Sequence, residues 1–167
     1  MLTLYPLRPI PDAPSGVFLI RLARYHHGSP ISLPDGTHVS QGDWICEVHI
    51  NNRRMAAYTQ YWRLLRDMAA DLRALAAYLA QAPEAAGVKS LWGRTLLSRG
   101  AGRLGFTIRP CRVTIHARFE RFFMMGLMTL YHARGTQRLR EGTTYAAYPE
   151  EVWMSRAELT RRYETAS

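Results

Sequence analysis

The chain has 167 residues, 47% hydrophobic and 21% charged, with a net charge of +9. That length allows one domain with its own core and is short for two, and that composition excludes a generally disordered chain. A positive excess of this size directs the search towards anionic partners.

Residues 1–15 form a proline-rich lead-in with no cationic start followed by an apolar segment. No secretory signal is therefore expected, and a cytoplasmic location follows as the expectation. Residues 16–52 read mostly as strand. "GVFLIRLARY" (16–25) alternates, with Phe18, Ile20 and Leu22 on one side. Pro34-Asp35-Gly36 and Gln41-Gly42-Asp43 are turn signals that bracket a short strand, Thr37–Ser40. A further strand, Trp44 to Ile50, has Trp44, Cys46, Val48 and Ile50 on one face; Ile45, Glu47, His49 and Asn51 follow on the other.

Residues 53–133 read as mostly helical. Asn52 is the expected cap of a long helix over 53–81, with Tyr58, Trp62, Leu65, Met68, Leu72, Leu75 and Leu79 recurring at steps of three and four as its inward stripe. Pro83 stops it. A second helix is expected over 88–104, with Leu91, Trp92, Leu97, Ala101 and Leu104 inward. A third is expected over 115–133, capped by Thr114. Its apolar run, Phe122 to Tyr131, is too short for a ~30 Å hydrocarbon core and reads as buried; the Phe/Met stripe at 119–131 reads as core. Residues 134–167 supply a loop, the strand "EEVWMS" and a short C-terminal helix. That helix opens on the capping box "SRAE" and carries Leu159 and Tyr163 one turn apart. The resulting fold class is α+β: a small, mostly antiparallel sheet packed against a long helix and two or three others, in a single domain, 1–167.

Gly100-Ala101-Gly102-Arg103-Leu104-Gly105 spells G-x-G-x-x-G. A dinucleotide loop needs a strand before the first glycine and a helix after the last. Here the preceding residues read as helix and "FTIRP" reads as strand, so Gly105 is expected to end a helix in the left-handed conformation. Gly100 and Gly102 become small faces for close packing. No nucleotide, other cofactor or metal is expected. His26, His27 and His49 offer no ligand spacing that would define a metal site.

Charge is unevenly spread along the chain. Residues 89–121 hold Lys89 and seven arginines against Glu120 alone. Arg94, Arg99, Arg103, Arg109 and Arg112 are the candidate anion-binding residues, because guanidinium forks pair with phosphate or carboxylate. Arg99 and Arg103 share a helix face. A second constellation is Glu47, His49 and Asn51, which could supply an acid–base pair or a polar pocket. Its plainer reading is an outward strand face, with Asn51 or Asn52 capping the next helix. Cys46 and Cys111 stand in no C-x-x-C pair and read as buried thiols in a reducing compartment.

Tyr25, Gly28, Leu33, Asp35-Gly36, Gly42-Asp43, Glu47, His49 and Asn51 form a pattern that resembles the opening of the YkoP-like domain. "RLGF" (Arg103 to Phe106) and "WMSRAEL" followed by Arg162-Tyr163 are similar to its later segments. Together these cover most of residues 16–163. The resemblance implies a domain type without an assigned activity. Because some members sit behind polysaccharide deacetylase domains, it also implies a cell-envelope link; no deacetylase part is present here.

The functional expectation is an accessory domain that binds an anionic partner through residues 89–121: nucleic acid, an anionic envelope polymer or an acidic protein. The alternative is a small enzyme acting on a carbohydrate or lipid-linked substrate at Glu47, His49 and Asn51. A third reading is a partner-binding module with no ligand chemistry.

Overall fold

Phe18, Ile20 and Leu22 do turn to one side of a strand, and all three are buried there. That strand belongs to a six-stranded sheet in a computed structural model that describes residues 6–26, 28–111 and 149–164. In chain order the strands are β1 (Arg8–Pro9), β2 (Phe18–Arg24), β3 (Ile31–Ser32), β4 (His38–Val39), β5 (Trp44–Ile50), β6 (Val88–Thr95), β7 (Thr107–Pro110) and β8 (Glu150–Ser155). The main sheet runs β1-β2-β5-β6-β8-β7, and β3 and β4 pair as a separate small sheet. Among the described strands only β5 and β6 pair in parallel; the other pairings are antiparallel.

The parallel pair requires a crossover. It is made by α1 (Asn52–Met55), α2 (Tyr61–Gln81) and a single 3-10 turn, Pro83–Ala85. Two more helices, α3 (Ser98–Arg103) and α4 (Arg156–Tyr163), complete the described elements. The class is α+β. Among the described residues no helix is long and apolar enough to cross a membrane. The expected 115–133 helix, its Thr114 cap, the 119–131 stripe, Arg112 and His27 lie outside the described residues.

One face of the sheet packs on α2 through Leu64, Met68, Leu72, Leu75 and Leu79, opposite Phe18, Ile20, Leu22, Cys46 and Val48. The other face carries a second cluster in which Trp153 and Tyr25 meet edge to face, together with Ile31 and Val39 of the small sheet and Leu33 beside it. Buried Asp71 of α2 pins the start of β2. Its Oδ2 accepts from the backbone N–H groups of Val17 (2.7 Å) and Phe18 (3.3 Å), and its Oδ1 accepts from Ser15 N–H (3.0 Å) and Oγ (2.7 Å).

Four expectations are corrected. Residues 88–104 are not one helix: Val88–Thr95 is a strand, and only Ser98–Arg103 is helical. A central strand buried on both faces loses the alternation that marks a strand, and its apolar run then imitates a helix stripe. The region 53–133, read as mostly helical, thus contains β6 and β7. The long helix is also interrupted. Gln60 is extended at φ −120°, and Tyr58 leaves the stripe to donate to Asp67 (2.7 Å).

Asn52 is not the cap. Asn51 holds that position without a side-chain cap, and its amide donates to the Gly16 carbonyl (3.1 Å). Finally, Trp62 is not inward but 57% exposed. At 100° per residue it lies some 160° round the helix from Leu64, so the residues of the real stripe exclude it.

Gly105 has φ +98° at the end of α3, as its sequence setting predicts. A strand does precede the glycines, but α3 begins before Gly100, so Gly100 and Gly102 lie inside the helix and Gly105 past its end, none of them ahead of its N-terminus. A Cβ on Gly100 would stand 2.9 Å from the Tyr61 hydroxyl, which shows how closely α3 meets the first turn of α2. "SRAE" caps α4 as expected: Ser155 Oγ accepts from Glu158 N–H (2.9 Å). The same hydroxyl donates to Asp35, which ties the Asp35-Gly36 turn to the sheet.

Candidate functional site

The four described members of the expected anion-binding set, Arg94, Arg99, Arg103 and Arg109, do not form one patch. Arg94 lies on β6, directly across from Glu151 of β8, which is in turn across from Arg109 of β7. Arg94 also reaches the Cys111 sulfur at 3.6 Å, and Arg109 the Ser32 carbonyl at 3.5 Å. Two arginines flanking one glutamate leave that row with a net charge of only +1. Arg99 and Arg103 belong instead to α3, which packs on α2 at the opposite face of the sheet.

The sheet register brings Glu47 and His49 to the same face as Arg94 and Arg109. Arg21, Glu47, Trp92 and Trp153 follow one another across four strands. Glu47 is not on an outward face: its side chain is only 5% exposed. It accepts two hydrogen bonds from Arg21, the Nε one at 2.8 Å, and stands 3.4 Å from His49 Nε2. Burial pushes its carboxyl up, but the His49 and Arg21 hydrogen bonds and the Arg21 charge more than offset this and hold it below the usual range. His49 is 44% exposed. A buried carboxylate therefore stands beside an accessible imidazole. Asn51 does not join them, being tied to Gly16 at the strand end. Cys46 is buried and pushed up to about 12 by desolvation and the nearby Glu47 charge, which favours its thiol form.

Among the described residues, one exposed group of cations lies on α2 and α3. Exposed Trp62 has the Arg63 guanidinium 5.3 Å and the Arg66 guanidinium 5.7 Å from its ring centre. Arg103 of α3 sits 5.8 Å from the ring of adjoining Tyr61. The carboxylate beside them, Asp67, is held by Tyr58 and Arg66. The Tyr58 hydrogen bond is the main cause that lowers its pKa. Arg63, Arg66 and Trp62 were missed in the sequence because Trp62 was assigned to the core stripe. The readable signal was the phase: Leu64, Met68 and Leu72 already complete a stripe, which leaves "YWR–LLR" an aromatic flanked by arginines on the outer side.

Among the described residues no three His, Cys, Asp or Glu side chains stand together as a metal site. The segments that carried the sequence resemblance meet in space: Asp35 bonds Ser155, the Tyr163 hydroxyl donates to the Leu104 carbonyl (2.7 Å), and Gly105 packs against Arg162. No curated protein and no solved structure matches the chain. The YkoP domain family matches residues 2–163, nearly the whole length, and the chain belongs to that family.

Proposed function

We propose that the chain is a binding domain for an anionic polymer, engaged through the outward face of α2 and the adjoining α3. Exposed Trp62 between two arginines carries this reading. The indole stands in water with the guanidiniums of its own helix against its ring, and such a pairing of aromatic platform and cations suits an anionic polymer. The arginines around it offer forked donors to phosphate or carboxylate. The test is a salt titration against duplex DNA used as a plain polyanion. Changing Arg63, Arg66 and Arg103 together to Ala should reduce the slope of log K against log salt by nearly three, at about 0.9 per phosphate contact. The control is Arg161→Ala with Arg162→Ala, two exposed arginines of α4 that are paired with Glu158 as Arg66 is with Asp67. Comparable losses per charge in both would mean diffuse attraction and no site.

A second reading rests on the Glu47–His49 pair, a buried ionised carboxylate beside an exposed histidine. Such a pair can hold and pass a proton, which fits a small enzyme acting on a carbohydrate or lipid-linked phosphate. Turnover of such a substrate that His49→Gln abolishes, with the fold intact, would favour it over the binding reading.

A further inference from the structure

Resting on the polyanion reading, we infer that the polymer is single-stranded nucleic acid, with one base stacked on Trp62 and its neighbouring phosphates taken by Arg63 and Arg66. Three observations lead here. First, the aromatic and the cations are one unit: both guanidiniums lie within 6 Å of the ring centre. A base arriving on the indole would displace one guanidinium from the ring and leave it beside the phosphate that follows. Such alternation of a stacking platform with backbone-tracking cations is how strands without duplex partners are held.

Second, the ring is 57% exposed, on the side of α2 turned away from the Leu64, Met68 and Leu72 stripe. A duplex keeps its base faces stacked on one another and would present only its backbone to that surface, leaving Trp62 without a role. Third, α3 extends the cationic track: Arg103 sits against Tyr61, the residue before Trp62, so the next phosphate along the strand meets a further guanidinium. Base stacking tolerates any sequence, so the expected binding is strong in salt dependence and weak in base preference.

The experiment compares a fluorescein-labelled dT 12-mer with an abasic deoxyribose-phosphate 12-mer of the same charge, by anisotropy at low salt. A sulfated polysaccharide serves as competitor. The dT strand should bind about tenfold more tightly than the abasic one, near the lower end of what one base–aromatic stack contributes. Trp62→Ala should erase that difference and leave abasic binding unchanged, while Trp62→Phe keeps most of it. Because Trp62 is exposed, the variant's unfolding curve should match the wild type, which separates lost stacking from lost fold. Arg63→Ala with Arg66→Ala should lower the salt slope by about 1.4 for both strands, at roughly 0.7 per phosphate on single strands.

Equal binding of dT and abasic strands would overturn the stacked base while leaving the polyanion reading standing. Tighter binding of the sulfated polysaccharide than of dT would overturn it in favour of a sugar polymer. Binding of none of the three would overturn both readings.

Discussion

Asp71, on the helix side of the sheet, and Glu47, on the side of the small β3–β4 sheet, are both buried carboxylates, and they are satisfied by different means. Asp71 is met by backbone N–H groups of Val17 and Phe18 and by Ser15, all at the entry to β2. Glu47 is met by the guanidinium of Arg21, its direct cross-strand neighbour, whose side chain is 33% exposed. A charge held by backbone donors welds two elements and has no movable partner. A charge held by a partly solvated arginine beside an exposed histidine can exchange partners. The first arrangement builds the fold, and the second leaves a face on which chemistry is open.

The sharpest break of this contrast is Asp71→Ala. It strands buried backbone donors and should cost more than about 3 kcal/mol in urea unfolding. A loss below about 1 kcal/mol would mean that the joint between α2 and β2 does not depend on that carboxylate.

Glu47→Gln should be milder, about 1–2 kcal/mol near neutral pH, because Arg21 can turn to water once its partner is neutral. The pH dependence has a definite sign. The folded-state pKa lies below the ordinary value of 4.5, so the Glu47 contribution is full above that value and is lost as pH falls through the lower, folded one. Thermal unfolding followed from pH 6 to acid should show a shallower acid limb in Glu47→Gln. An unchanged limb would mean the pair with Arg21 adds nothing.

The smallest effect belongs to the exposed pairs on α4. Arg161 bonds Glu158 through two nitrogens, at 2.8 and 2.7 Å, and with Arg162 it draws the Glu158 carboxyl down to about 2. Solvent and salt screen such pairs, so Arg161→Ala should leave the unfolding midpoint unchanged within error. A clear shift there would erase the distinction between buried and exposed charge.

The sequence by itself determined the elements whose signals are local. The alternation of β2 and β5, the Ser155 capping box and the left-handed Gly105 depend on residues within a few positions of one another, and each forms where those residues stand. Tertiary structure decided the rest. Val88–Thr95 became a strand because the crossover from β5 inserts it at the centre of the sheet, buried on both faces, where no alternation survives to mark it. Four arginines of the 89–121 segment separated because β6 and β7 carry Arg94 and Arg109 on one face while α3 carries Arg99 and Arg103 on the other. Charge density along a chain becomes charge density on a surface only when consecutive elements face the same way. Trp62 was readable as apolar but not as exposed, since its helix buries a stripe chosen by the sheet it packs against, and that choice turned the indole outward.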